Sequence, residues 1–300
     1  MYKISAFRGK SQENVPKRGA MAYYLGVAIL IAGVSTLFLL WQGWRYFDRL
    51  RRWKRVRTMP LPPSYREALE KIPHYRVLPE ELKEKIRPRL LFFAETKEFQ
   101  GVRVRVTDEM RAVISFYACL LVVNIPDECY ETLMTILIYP YDVVARQVSA
   151  EGGIYREGRF ILEGQSSGDT VVIAWSEARR QAYHLRHHNV ILHELAHVLD
   201  FEDGVPDGVP PLERSRYHRW TQVLYRRYRE LRQKSRIRRD WGDYRLIGEY
   251  AATSEAEFFA VVTELFFQKP GSLKTHFPDL YEEFRDFYGL DTAELFKSLD

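Results

Sequence analysis

The chain has 300 residues, 46% of them hydrophobic, with 45 Lys and Arg against 40 Asp and Glu and a formal net charge of +5. This length and apolar content suit a large buried core; there is no internal repeat and no low-complexity tract, which excludes a repeat array and a disordered chain. With only two cysteines, Cys119 and Cys129, a disulfide framework is excluded as well, and both read as reduced core residues in or near an apolar stretch.

Residues 1–19 form an N-terminal tail. Residues 20–44, AMAYYLGVAILIAGVSTLFLLWQGW, carry no charge over 25 positions. A bilayer core of ~30 Å needs about 20 apolar helical residues. Tyr23, Tyr24, Trp41 and Trp44 lie near the two ends, as an aromatic belt does. A cleavable signal peptide has a shorter apolar run that ends in small residues, whereas this one ends in Trp44 and then arginines. One transmembrane helix is therefore expected. Seven basic residues follow it (Arg45, Arg49, Arg51, Arg52, Lys54, Arg55, Arg57) and five precede it (Lys3, Arg8, Lys10, Lys17, Arg18). The positive-inside rule then puts the C-terminal domain in the cytoplasm.

Residues 45–61 read as a basic juxtamembrane linker, stiffened by Met59-Pro60-Leu61-Pro62-Pro63. Residues 62–300 suit one domain, α+β in class: mostly helical with a small sheet. Pro63 to Phe99 reads mostly helical, with breaks at Pro73, Pro79 and Pro88. Met110 to Val123 reads as a buried helix. Thr135 to Ile138 and Val171 to Trp175 read as strands. The latter is either a core strand or an edge that takes up an extended peptide.

His184 and His188 are four residues apart, with His187 adjacent. No acid follows His184, and Arg179, Arg180 and Arg186 surround the group. These histidines read as surface residues, with His188 a possible neighbour of the site described next.

Val190 to Asp200 contains His193-Glu194-Leu195-Ala196-His197. On a helix, residues four apart share a face, so His193 and His197 can offer two imidazole nitrogens to one metal ion. Glu194 beside them is placed to take the proton of an activated water. This is the H-E-x-x-H arrangement of zinc hydrolases. The flanking Val190, Ile191, Leu192, Leu195, Ala196, Val198 and Leu199 predict burial, and Asn189 is the expected N-cap. Buried polar side chains need partners, and a metal supplies one.

A catalytic zinc site needs a third protein ligand. Asp200 lies three residues past His197. A second apolar helix, Ser254 to Phe267, offers Glu257 and Glu264, seven apart on one face. Ser254 and Glu257 also fit a capping box, with Glu255 as a first-turn acid. Spacing leaves the third ligand open among these. Asp200 reads equally as an acceptor for a ligand histidine's ring N–H and as a helix-terminal acid bonded to the Glu202-Asp203-Gly204 turn. Between the two helices, residues 214–239 hold eleven Arg and Lys against one acid, Glu230. This is a solvated face or a patch for anionic lipid. No nucleic-acid motif accompanies it.

The chain resembles the zincin-like proteins related to Mlc titration factor A. The blocks that carry the resemblance are Leu137-Ile138-Tyr139-Pro140, Glu163-Gly164-Gln165-Ser166, Val171 to Trp175, His193 to Asp200, Tyr250-Ala251-Ala252, Ala256 to Val261 and Glu264 to Phe267. The similarity runs from about Pro62 to near the C-terminus. It implies a zincin-like metallopeptidase fold, a Zn2+ ion with Glu257 as third ligand, and Tyr250 lining the site to stabilise an oxyanion. It also implies peptidase activity of aminopeptidase type, and in enteric bacteria a partnership with the repressor Mlc. The apolar N-terminal segment departs from the soluble members and bears on that partnership. Two functions are thus expected: a membrane-anchored zinc peptidase with Glu194 as general base, or a regulatory protein that sequesters a repressor.

Overall fold

The structure is a computed structural model that describes residues 18–125, 130–141, 169–185, 188–237 and 241–299. The Glu163 to Ser166 block, His187, Cys129 and most of the N-terminal tail lie outside the described residues. The chain divides into two compact units, residues 1–55 and residues 56–300.

The first unit is carried by helix α1 (Arg18–Thr58), which runs without a break from the apolar stretch into the basic one. One helix among the described residues is long and apolar enough to cross a membrane. Its span is Tyr23–Thr58, its most apolar window has mean hydropathy 2.1, and none of that window is buried.

The second unit is mostly helical. Helices α2 (Pro63–Leu69), α3 (Pro73–Val77) and α4 (Glu80–Thr96) come first. Pro73 starts α3, and Pro79 caps α4. Pro88, by contrast, lies inside α4 and does not break it. An internal proline costs roughly 3 kcal/mol in a free helix. Here Ile86 on one side and Leu90, Leu91 and Phe93 on the other are buried, and that packing outweighs the lost hydrogen bond.

Strand β1 (Glu98–Gly101) leads to α5 (Asp108–Leu121), whose Thr107 N-cap accepts from the Met110 N–H at 3.3 Å. The expected helix over Met110 to Val123 is thus present, two residues earlier at its start. Cys119 is buried in it, and burial pushes its thiol up to about 12. Strands β2 (Thr135–Tyr139) and β3 (Thr170–Ala174) make with β1, among the described residues, a parallel sheet of order β1-β2-β3. The register pairs Phe99 with Ile136, Ile136 with Val171 and Ile138 with Ile173. All five are buried, so the residues at alternate positions make one apolar face. Trp175 does not end β3; it opens α6 (Trp175–Tyr183).

The C-terminal part carries α7 (Val190–Asp200), α8 (Arg214–Ile237), α9 (Glu255–Gln268), α10 (Pro270–His276), α11 (Pro278–Tyr288) and α12 (Thr292–Leu295). Helix α7 packs on α9, α5 and β3. Helix α9 is buried almost throughout, and its aromatics meet α8 and α11: Phe259 lies 6.0 Å from the Trp220 ring, and Phe266 stacks on Tyr288 at 5.5 Å. The basic helix α8 is therefore a core element on one side, through Trp220, Leu224, Tyr228 and Leu231. Beside these core residues, Arg219 pairs with Glu283, and Arg226 and Arg227 pair with Asp279, all on α11.

Candidate metal centre

Two helix starts set the site. The Asn189 side chain accepts from the N–H groups of Ile191 and Leu192 at 3.1 and 3.3 Å, as an N-cap does. This starts α7 so that Ile191, Leu192, Leu195 and Leu199 are buried and His193 and His197 share the adjacent face. The Ser254 hydroxyl accepts from the Glu257 N–H at 3.1 Å and starts α9. The capping expectation for Ser254 is met. The Glu257 side chain does not turn back to close a capping box; it reaches across to α7.

There it meets both histidines. Glu257 Oε2 is 3.1 Å from His193 Nε2, and Oε1 is 3.5 Å from His197 Nε2. The two Nε2 atoms stand 3.2 Å apart, with the rings nearly perpendicular at 82°. One donor atom from each of His193, His197 and Glu257 lies within 4.8 Å of the others. The buried Glu257 Oε2 has no aligned hydrogen bond. Two imidazole nitrogens and a carboxylate oxygen thus converge on one point. That set fits a divalent cation of the zinc type.

The electrostatics agree. Burial works against a charged His193 ring, but the carboxylates of Glu257 and Glu264 on its two nitrogens outweigh it and raise the group to about 10. Burial works against Glu257 too, and the two imidazoles pull its carboxyl far below the usual carboxylate range. The carboxylates around these rings thus favour positive charge at this point, which is what a metal ion supplies.

Glu194 sits beside the pair. Burial raises its carboxyl, and the charges of His193 and His197 oppose that rise. Tyr250, in the turn Tyr250–Ala252, places its ring 6.0 Å from the His193 ring at a 40° tilt, and remains 47% exposed. The structure thus brings all five expected residues to one place.

Asp200 differs from one of its two expected roles. It is fully buried, but its Oδ2 accepts from the Gly208 N–H at 3.0 Å, and among the described residues no imidazole N–H bonds to it. Burial raises it to about 7. The reason is the helix end: the chain reverses at Gly204 and presents Gly208 N–H to the last residue of α7. Asp200 is thus a helix-terminal acid, but its partner is Gly208 rather than the expected Glu202-Asp203-Gly204 turn. The ring of His193 is instead held by Glu264, whose Oε1 is 2.7 Å from Nδ1. Spacing had offered Glu264 only as a rival ligand. Its position two turns after Glu257 on α9 was the available signal. His184 and His188 are exposed, and His188 Nδ1 lies 3.5 Å from Glu264 Oε2.

Comparison with known proteins agrees with this chemistry. A family model described as glucose-regulated metallo-peptidase M90 matches residues 47–289. An uncharacterized protein of Synechocystis is 33% identical over 288 residues, covering 92% of this chain and 98% of its own. Mlc titration factor A of Serratia proteamaculans is 30% identical over 196 residues, 62% of this chain and 71% of its own. That of Cronobacter sakazakii is 28% identical over 250 residues, 80% and 91% respectively. The matched region takes in both helices that meet at the cluster and nearly the whole second unit, so the chain belongs to the glucose-regulated metallo-peptidase M90 family.

Proposed function

We propose that this protein is a membrane-anchored zinc-dependent peptidase. The observation that carries the reading is the convergence of His193 Nε2, His197 Nε2 and a Glu257 carboxylate oxygen within 4.8 Å, with Glu194 beside them. His193, His197 and Glu257 would hold the ion. A zinc ion there supplies Lewis acidity, lowering the pKa of a water and polarising a carbonyl. Glu194 accepts a proton from the attacking water on its carboxylate and delivers it to the nitrogen of the leaving amine. The raised affinity of this half-buried carboxyl for a proton suits that two-way transfer. Tyr250 donates its O–H to the oxygen on which charge develops. Strand β3 ends the described sheet order and packs on α7, and in this reading it receives an extended substrate by strand addition.

The exposed apolar length of α1 supports an anchor. Its flanking charges, seven basic residues after it against five before, favour a cytoplasmic catalytic unit. The test is metal analysis of the purified full chain, paired with peptide-library cleavage with and without chelator. Cleavage insensitive to chelator would remove the reading.

A second reading has its own support. Several relatives carry the name Mlc titration factor A, which favours a protein that binds a transcriptional repressor, with catalysis minor or absent. Capture of a repressor by the wild type and equally by Glu194→Gln would favour it. Cleavage lost with that substitution would favour the peptidase.

A further inference from the structure

Glu264 is 3% exposed and lies in the third turn of α9. Buried carboxylates need strong partners, and this one has them on both oxygens. Oε1 is 2.7 Å from His193 Nδ1, and Oε2 accepts from the Asn189 N–H at 2.7 Å. His188 Nδ1 lies 3.5 Å from Oε2. Asn189 is the residue that caps α7. A single side chain of α9 therefore grips both the start of α7 and the ring one turn into it.

The chemistry of the contact fixes the ring. An ionised carboxylate only accepts, so the nitrogen facing it must carry hydrogen. In a neutral imidazole the other nitrogen then bears the lone pair. The nitrogen facing Glu264 is Nδ1, and Nε2 is the one that faces Glu257 and His197. We infer that Glu264 is the positioning residue of the metal centre: it holds His193 with Nε2 directed at the ion and anchors that ring to the cap of α7. This rests on the reading of His193, His197 and Glu257 as a metal site. Such outer partners orient a ligand ring and raise its basicity.

Glutamine in place of Glu264 keeps the shape but offers a single acceptor oxygen to two donors, so one of the Asn189 N–H and the His193 N–H would face an amide N–H2. The test uses the full chain in detergent micelles. Zn2+ affinity is measured by chelator competition, and Co2+ is loaded so that the ring N–H protons of the bound histidines can be followed by NMR. For Glu264→Gln we expect Zn2+ affinity to fall roughly 10–100-fold, a shifted or lost His193 N–H signal, an unmoved His197 signal and unchanged helical content. A general loosening of the fold would move both histidine signals. Wild-type affinity with an unmoved His193 signal in Glu264→Gln would overturn the inference and leave the metal site standing. A wild type that takes up neither ion would overturn the metal reading and this inference with it. If the variant does not fold, the wild type decides: a His193 N–H that exchanges slowly with solvent supports the clamp, and one that exchanges as fast as that of an exposed histidine overturns it.

Discussion

His193 Nε2 and His197 Nε2 face each other at 3.2 Å, one helical turn apart on α7. Two protonated ring nitrogens cannot share that contact, because each would present a hydrogen to the other. Burial disfavours a charged His193, but Glu257 and Glu264 at its two nitrogens raise it to about 10 and so favour a ring proton there in the absence of metal. Metal uptake must displace it. Near neutral pH, binding should therefore release about one proton per ion, and affinity should rise as pH rises toward 10. Calorimetry in buffers of different ionisation enthalpy checks this. Uptake with no proton release would contradict the assigned charge state.

Replacing Glu194 by Gln should leave the metal bound and lower peptide hydrolysis by about 10²–10⁴-fold. Replacing Glu257 by Ala should instead lower metal occupancy itself. Elemental analysis beside a cleavage assay separates the two. Full occupancy in Glu257→Ala would return the question of the third ligand to Asp200 and Glu264.

His74 gives a pH dependence away from the site. It is 1% exposed, its Nε2 lies 3.0 Å from the Phe267 carbonyl, and burial lowers it from 6.5 to about 4, against that hydrogen bond. Its folded value is depressed, so between pH 6.5 and 4 the unfolded chain binds more protons than the folded one. Stability should be complete above 6.5 and fall by about 3 kcal/mol as pH drops toward 4. Denaturant titrations across this window, in chelator, should show a shallower acid slope in His74→Gln than in the wild type. Equal slopes would assign the acid loss to other groups.

Gly208 joins three elements. Its N–H donates to Asp200 at the end of α7, its carbonyl accepts from Trp220 Nε1 of α8, and a Cβ on it would stand 2.7 Å from the Glu255 carbonyl oxygen of α9. Its φ is +79°, and that of Gly204 is +92° with open space around it. Gly204→Ala should cost about 1 kcal/mol, for backbone conformation alone. Gly208→Ala should cost more, by roughly 1–3 kcal/mol for the clash, and should also weaken metal binding, because Glu255 is two residues from Glu257. Thermal melts of both variants test the ordering. Equal shifts would show that the crowding relaxes without cost.

Much of this protein is written locally. The uncharged run of 20–44 makes an apolar helix by length and composition alone. The spacing of His193 and His197 puts two imidazoles on one face by the 3.6-residue period. Asn189 and Ser254 start their helices through side chains that reach only two or three residues. Such features depend on neighbours along the chain, and sequence determines them. The parallel order of the three strands, the choice between Glu257 and Glu264, the contact of Asp200 with Gly208 and the continuity of α4 through Pro88 depend on what packs across space. Glu257 and Glu264 lie on one face of one helix, so periodicity treats them alike. Only the way α9 lies against α7 brings one carboxylate to His193 Nε2 and the other to Nδ1, and with that gives two chemically identical side chains different work.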